Sequence, residues 1–216
     1  MDPNTILSHV DHTILNPCTS WQEVQKICGE AVRYQTASVC IPPSYVSRVH
    51  DEYGDDINIC TVIGFPLGYH STEVKLAEAI GAIRDGADEV DMVINLGDVK
   101  NGDFHKVTKE IAALKEAMGA KILKVIVETC YLTEEEKIEL CHCITEGGAD
   151  YIKTSTGFGT DGASLRDVEL FKKHIGKNVK MKASGGIRTR EDFVAYLKAG
   201  CERIGTSSAV KVLAEK

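Results

Sequence analysis

Charged residues interrupt four strand-like segments in the middle of the chain, at positions where a buried strand normally carries apolar side chains. They are Asp91 in EVDMVIN, Lys124 in ILKVIVE, Lys153 in YIKTS and Lys182 in VKMKAS. A single lysine near a strand end is ordinarily a packed stem with its ammonium group in water. An unpaired buried charge costs several kcal/mol, so a cluster of such residues is expected either to pair internally or to take part in chemistry.

The two lysines on neighbouring segments, Lys153 and Lys182, indicate amine chemistry. A lysine at its ordinary pKa of about 10.4 is protonated at neutral pH. A second ammonium group and partial desolvation both lower that pKa, which makes the amine a nucleophile toward a carbonyl group. A nearby carboxylate such as Asp91 can carry protons while a Schiff base forms and breaks down. The set favours a class I aldolase, with a purely structural salt-bridge network as the alternative.

Two glycine-containing segments near the end of the chain predict an anion site. They are Ser184-Gly185-Gly186-Ile187-Arg188 and Gly205-Thr206-Ser207-Ser208, and each follows a strand-like run and leads into a helix start. Glycine lets backbone N–H groups approach an anion, and a helix N-terminus supplies oriented N–H groups. Either segment alone is explained by an ordinary turn, but together they indicate a phosphate pocket.

The elements that must position these residues alternate between strands and helices along the whole chain. Eight β-branched runs are predicted as strands: VDHTI, ASVCI, NICTVIGF, DEVDMVIN, KILKVIVE, DYIKTS, VKMKAS and ERIGT. Helix starts with capping spacing lie between them: Ser20 with Glu23, Thr133 with Glu136, Ser164 with Asp167, and Thr189 with Asp192. This alternation favours an α/β fold, a parallel (β/α)8 TIM barrel, formed as a single domain over residues 1–216.

An open, doubly wound sheet is the competing architecture. Its dinucleotide fingerprint G-x-G-x-x-G is absent, because Gly157-Phe158-Gly159 is followed by Thr160, Asp161 and Gly162. In the barrel, by contrast, the strand ends supply catalytic groups, and the loops after strands seven and eight form the usual phosphate site. The positions of the charged and glycine-rich segments fit that arrangement.

Composition argues against several kinds of partner. The chain of 216 residues has 25 basic and 32 acidic side chains in no long block, so no nucleic acid or membrane is expected to bind. The start, MDPNTILSHVDHTIL, has no basic segment followed by an apolar run. Together these features predict a soluble cytoplasmic protein.

The eight cysteines are scattered without CxxC spacing, which predicts free thiols in a reducing compartment. Cys141 and Cys143 flank His142, but residues two apart on a helix do not face each other. No metal site is therefore predicted.

Seven motifs in order carry a resemblance to a known family. They are DHTIL, GFPLG, EVDMVIN, LKVIVET, GADYIKTSTGFG, KASGGIRT and GTSSAV, and they extend from about residue 9 to residue 210. In these motifs the chain resembles the deoxyribose-phosphate aldolases. The resemblance implies that Lys153 is the Schiff-base lysine, that Lys182 is the second lysine that lowers its pKa, and that Asp91 relays protons.

The resemblance also implies a set of substrate-binding residues. Lys124 is expected to line the site and pair with nearby charges, and Asp11 and Thr156 to lie near the hydroxyl end of the substrate. The phosphate is expected among Gly157, Gly185, Gly186, Arg188, Gly205, Ser207 and Ser208. Cys40, near the end of strand two, is either in contact with aldehydes or a small buried hydrophobic residue. His70 stands where the family pattern has an asparagine, and a solvated loop residue is the favoured interpretation.

The implied reaction is the reversible cleavage of 2-deoxy-D-ribose 5-phosphate to D-glyceraldehyde 3-phosphate and acetaldehyde, in deoxyribonucleotide catabolism. It requires no metal and no organic cofactor. The family also implies a homodimer or higher homo-oligomer. Two alternatives remain: a sugar-phosphate isomerase or epimerase on the same barrel, and a non-catalytic sugar-phosphate-binding barrel.

Overall fold

A closed parallel barrel forms the centre of the molecule. A computed structural model describes residues 1–214, and within them eight strands pair in sequence order, with β1 also paired to β8. The strands are β1 (Val10–Thr13), β2 (Ser38–Ile41), β3 (Ile59–Ile63), β4 (Glu89–Val93), β5 (Ile122–Ile126), β6 (Tyr151–Lys153), β7 (Lys180–Ser184) and β8 (Arg203–Thr206). The predicted (β/α)8 barrel is confirmed, and the open sheet is wrong. Residues 215 and 216 of the predicted domain lie outside the described residues.

Helices connect the strands and surround the barrel. They are α1 (Pro3–Leu7), α2 (Trp21–Tyr34), α3 (Val46–Tyr53), α4 (Thr72–Arg84), α5 (Leu96–Lys100), α6 (Phe104–Met118), α7 (Glu134–Glu146), α8 (Leu165–His174), α9 (Arg190–Ala199) and α10 (Ala209–Leu213). The four predicted N-caps are confirmed, because the side chains of Ser20, Thr133, Ser164 and Thr189 each accept a hydrogen bond from the backbone N–H three residues on. Among residues 1–214, no helix is long and apolar enough to cross a membrane.

The two faces of each strand are packed differently. On β4, Val90 and Met92 point outward into the apolar layer between barrel and helices, whereas Glu89 and Asp91 are buried and belong to no apolar cluster. Small side chains, Cys40, Cys60 and Val62, form a separate buried cluster. Because side chains alternate between faces, the outer layer supplies the apolar core and leaves the inner face free to carry charge.

Strand register brings the charged residues together. Asp91 pairs with Lys124 across β4 and β5, and Lys153 pairs with Lys182 across β6 and β7. Residues paired across neighbouring parallel strands point to the same face of a sheet. Closure of the barrel then turns these side chains toward a common interior.

The loop after β3 makes a close backbone approach to the end of β4. Gly68 has a φ of +74°, and a Cβ atom added there would lie 1.9 Å from the backbone oxygen of Ile94. A backbone oxygen cannot move aside as a flexible side chain can. Only glycine therefore fits this position without displacing the strand end or the loop.

The substitution Gly68→Ala is expected to lower the free energy of unfolding by about 2 kcal/mol or more, because it adds both a steric clash and a left-handed alanine. Gly81→Ala is the matched control, since Gly81 lies within α4 and a Cβ there meets nothing within 4 Å. The control is expected to gain about 0.5–1 kcal/mol from helix propensity. Urea unfolding of both variants measures the two effects, and equal stability of the two would contradict the close approach.

Candidate active site

Asp91 lies at the centre of a group of buried lysines. Its Oδ2 atom accepts hydrogen bonds from Lys153 Nζ at 2.7 Å and from Lys182 Nζ at 2.7 Å. Its Oδ1 atom accepts from Lys124 Nζ at 2.8 Å. The four charged residues singled out in the sequence therefore form one contact group inside the barrel. Charge-assisted hydrogen bonds of this kind are among the strongest in proteins.

A second layer of ion pairs holds this group from below. Lys124 Nζ lies 2.6 Å from Glu89 Oε2, and Arg203 binds the same carboxylate through two N–H groups at 2.9 and 3.0 Å. Arg203 also donates to Asp11 Oδ1 at 2.7 Å, and Lys182 donates to Asp11 Oδ2. The ion pairs thus form a continuous network from β1 through β4 to β8.

The network holds four of its members in their charged forms. Burial raises the pKa of Asp91, but the neighbouring ammonium groups outweigh it and hold that pKa well below its usual range. Burial also raises the pKa of Asp11, but the positive charges of Lys182 and Lys124 outweigh it and lower that pKa. Burial lowers the pKa of Lys124 and Lys182, but the carboxylates more than compensate and raise both. Asp11, Asp91, Lys124 and Lys182 are therefore ionised at neutral pH.

Two cysteines adjoin the network. Cys60 Sγ lies 3.2 Å from Asp91 Oδ1 and 3.3 Å from Lys124 Nζ, and burial raises the pKa of its thiol well above the ordinary range. Donor atoms of Cys40, Cys60 and Asp91 lie within 4.8 Å of one another. Because the Asp91 carboxylate already accepts hydrogen bonds from three ammonium groups, the local positive charge opposes a metal cation there.

A cavity of about 660 Å³ opens over this network. It is lined by Thr13, Ile14, Leu15, Asn16, Pro17, Cys18, Thr19, Glu23, Lys153, Thr156, Gly157, Phe158, Ser184, Gly185, Gly186, Ile187, Arg188, Gly205, Thr206, Ser207 and Ser208. Most of these residues belong to the strand ends and loops after β1, β6, β7 and β8. The cavity therefore lies at the end of the barrel where the fold usually places catalysis.

The predicted site residues divide into two groups. The cavity lining contains Lys153, Thr156, Gly157, Gly185, Gly186, Arg188, Gly205, Ser207 and Ser208. The others, Asp11, Cys40, Asp91, Lys124 and Lys182, are buried inside the barrel and outside that lining. Asp91 is connected to the cavity by its hydrogen bond from Lys153, and Lys182 by its hydrogen bond to Asp91. Cys40 is fully buried, which matches the small hydrophobic interpretation, and His70 is exposed and outside the lining.

The glycine loop after β7 forms one wall of the cavity. Gly185 and Gly186 have φ values of +84° and +77°. A Cβ on Gly186 would meet nothing within 4 Å, so the backbone there faces open space. The N–H groups of Arg188 and Thr189 donate to the Asp192 carboxylate, so the start of α9 is capped internally. The loop itself is therefore the better candidate for an anion cradle.

Another wall of the cavity is fixed by a buried carboxylate. Glu128 follows β5 with a φ of +54°, a left-handed backbone that is unfavourable for a residue with a side chain. Its carboxylate accepts a hydrogen bond from the Thr156 backbone N–H at 3.1 Å and another from the Thr156 hydroxyl group. Phe158, on the same loop, contacts Phe65 edge to face at 5.4 Å between ring centroids. These contacts tie the loop after β6 to the segments that follow β5 and β3.

Sequence reasoning missed four residues of this centre: Cys60, Glu89, Glu128 and Arg203. Two of them carried a signal. Glu89 lies two residues before Asp91, and Arg203 lies two residues before Gly205, so strand alternation places each on the inward face. Glu128 gave no comparable signal, because its role depends on an unusual backbone conformation after the strand.

The substitution Asp11→Asn is expected to lower the free energy of unfolding by about 3 kcal/mol at neutral pH, because it removes one of the two carboxylates that bind each of the buried cations Lys182 and Arg203. The folded-state pKa of Asp11 is depressed, so its contribution is present above the unfolded pKa of about 3.9 and is lost as pH falls below it. The stability difference from the unsubstituted protein is therefore expected to stay constant from about pH 7 to about pH 5 and to shrink as the pH falls from about 5 to about 3.

Urea unfolding across that pH range measures the difference. Asp55→Asn, at an exposed carboxylate, is the control and is expected to change stability little. A difference for Asp11→Asn that stays constant with pH would contradict the ion-pair assignment.

The fold and the site define a class: a (β/α)8 barrel with a lysine–carboxylate centre that opens into a glycine-lined cavity at the carboxyl ends of its strands. The model of the DeoC/LacD family aldolases matches residues 5–209. The chain belongs to the DeoC/LacD aldolase family, and the resemblance seen in the sequence motifs is confirmed.

Curated relatives match nearly the whole chain. A deoxyribose-phosphate aldolase of Clostridium botulinum (strain Alaska E43 / Type E3) is 63% identical over 99% of this chain and 96% of its own length. One of Clostridioides difficile (strain 630) is 55% identical over 96% of this chain and 95% of its own.

Solved structures agree with the fold. A putative deoxyribose-phosphate aldolase from Coccidioides immitis has a TM-score of 0.95 at 40% identity, covering 100% of this chain and 87% of that one. The tetrameric deoxyribose phosphate aldolase from Aeropyrum pernix has a TM-score of 0.89 at 33% identity, covering 98% and 91%.

Proposed function

We propose that this protein is a class I aldolase that reversibly cleaves 2-deoxy-D-ribose 5-phosphate to D-glyceraldehyde 3-phosphate and acetaldehyde, in deoxyribonucleotide catabolism. One observation carries the proposal. Lys153 lines the cavity and at the same time donates a hydrogen bond to the buried Asp91. The names and high identity of the curated relatives support the substrate.

In the first half of the reaction, Lys153 forms the Schiff base. Its free amine attacks the C1 aldehyde, the N–C bond forms, and a proton passes from nitrogen to oxygen to give a carbinolamine. A proton is then added to the carbinolamine hydroxyl group, which leaves as water while the nitrogen lone pair forms the C=N bond of a protonated imine. Asp91 accepts hydrogen bonds from both Lys153 and Lys182, so it is placed to carry the protons of these steps.

In the second half, the imine acts as an electron sink. A base removes the proton of the C3 hydroxyl group, the C2–C3 bond breaks, and its electron pair forms the enamine as the C=N bond becomes a single bond. Glyceraldehyde 3-phosphate leaves. Protonation of the enamine carbon and addition of water release acetaldehyde and restore Lys153. We assign the proton relay to Asp91, Lys182 and a bound water.

The remaining site residues bind the phosphate group or support the reacting lysines. Gly185, Gly186 and Ser207 lie in the loops that form the phosphate end of the cavity, where backbone N–H groups and a hydroxyl group suit an anion. Arg188 lines the same region and supplies positive charge. Lys124 and Asp11 support the reacting lysines from below, since both are buried in the ion-pair network.

We also infer a cytoplasmic homo-oligomer. All eight cysteines are free thiols in the described structure, which suits a reducing compartment. The related Aeropyrum pernix structure is described as tetrameric. Size-exclusion chromatography with light scattering tests the assembly.

The Schiff base is tested by trapping. After incubation with acetaldehyde and sodium borohydride, intact mass spectrometry and peptide mapping are expected to locate one N-ethyl-lysine, at Lys153. Lys153→Met is expected to lose both the adduct and turnover while remaining folded. Lys182→Met is expected to retain the fold and to lose turnover by about 100-fold or more, because the relay is broken.

Lys180→Met is the matched control, because Lys180 begins the same strand as Lys182 but is half-exposed and pairs with Glu202 at 3.2 Å. It is expected to keep the adduct. Folded protein that binds deoxyribose 5-phosphate but forms no adduct would point instead to an isomerase, an epimerase or a binding protein. An adduct on another lysine would overturn the assignment of Lys153.

A further inference from the structure

The charges of the buried network do not cancel. Its cations are Lys124, Lys153, Lys182 and Arg203, and its carboxylates are Asp11, Glu89 and Asp91. Within residues 1–214, four cations therefore face three carboxylates. A surplus positive charge among buried side chains is unfavourable, and loss of one proton from a lysine removes it.

The number of carboxylate contacts distinguishes Lys153 from the other lysines of the network. Lys124 contacts Glu89 and Asp91, and Lys182 contacts two carboxylates as well. Among the hydrogen bonds of the described residues, Lys153 contacts one carboxylate, whose Oδ2 atom it shares with Lys182. Lys153 also lines the cavity, where a proton can leave to solvent.

The cations below Lys153 are held more firmly. Burial lowers the pKa of Arg203, but Asp11 and Glu89 outweigh that effect and raise it. Carboxylates raise the pKa of Lys124 and Lys182 in the same way, against burial. These three residues keep their charges at neutral pH, and Lys153 is the one cation of the network that lines the cavity.

We propose that Glu89 and Arg203 set the charge of this network and thereby the fraction of Lys153 that is a free amine. Both are positioning residues, since they act through the side chains they bind and neither lines the cavity. The inference rests on the proposed function, because a free amine at Lys153 is what Schiff-base formation requires.

Other titratable groups lie next to the buried network. They are Cys40, Cys60, Tyr151, Lys180 and Glu202. Burial raises the pKa of Cys60 and of Tyr151, so both are neutral. Lys180 and Glu202 are half-exposed and pair with each other. A hydrogen bond from Cys60 lowers the pKa of Cys40 against burial, which makes Cys40 the one competing source of negative charge in this group.

The test measures how readily Lys153 reacts as a function of pH. Competitive labelling of the folded, full-length protein with acetic anhydride, followed by peptide mass spectrometry, gives the pH midpoint of Lys153 labelling without relying on aldolase activity. The acid limb of the kcat/KM profile for deoxyribose 5-phosphate gives a second readout.

Opposite shifts are expected from the two halves of the pair. Glu89→Gln adds one net positive charge and is expected to lower the labelling midpoint by about one pH unit. Arg203→Gln removes one positive charge and is expected to raise the midpoint by about the same amount. The double substitution restores the net charge and is expected to return the midpoint close to that of the unsubstituted protein.

Charge-conserving variants are the controls. Glu89→Asp and Arg203→Lys are expected to keep the midpoint while altering the geometry. If one charge-changing variant does not fold, the other and its conservative partner decide the question. The series is repeated with Cys40→Ser, in which any shift that depends on ionisation of Cys40 disappears.

The inference is overturned if both single variants shift the midpoint in the same direction, if neither shifts it, or if the shift depends on Cys40. Failure of the proposed function would be seen in different measurements from failure of this inference. Folded protein that cleaves no deoxyribose 5-phosphate and forms no borohydride adduct would remove the aldolase, while the labelling series would still decide whether Glu89 and Arg203 control Lys153.

Discussion

The interior of the barrel depends on one carboxylate that binds three ammonium groups. Asp91 accepts hydrogen bonds from Lys124, Lys153 and Lys182, each at 2.7–2.8 Å. Without that negative charge, three cations would face one another in a buried site, where removal of one partner from an ion pair commonly costs about 3–5 kcal/mol. These hydrogen bonds stabilise the buried charges, and the one from Lys153 also connects the cavity to the interior of the barrel.

The barrel can carry this network because its stability comes from elsewhere. Outward side chains such as Val90, Met92 and Val125 pack between the strands and the helices, in an apolar layer that surrounds the barrel. The inward face of the same strands is therefore free to carry polar groups. This division is a consequence of strand alternation, and it lets one set of strands provide both a core and a reactive site.

The cavity is lined both by the reacting lysine and by glycine loops that suit an anion. Lys153 lies at the end of a strand of three residues, and the glycine loops follow the next two strands, β7 and β8. The loop after β6 is held by Glu128, which accepts a hydrogen bond from the Thr156 N–H group. A buried, strained residue at this position gives the loop a fixed conformation, so the cavity wall is prepared before any ligand arrives.

The sequence by itself determined the alternation of elements, the four capped helix starts and the inward position of Asp91, Lys124, Lys153 and Lys182, because these features depend on local periods and local hydrogen bonds. The same period could have found Glu89 and Arg203. Only the tertiary structure decided which charges meet. Asp11 and Arg203 are 192 residues apart in the chain, and barrel closure between β1 and β8 brings them within 2.7 Å. Whether an inward side chain lines the cavity or lies beneath it also depends on this closure, because strand alternation gives the face of a side chain but not its height along the barrel axis.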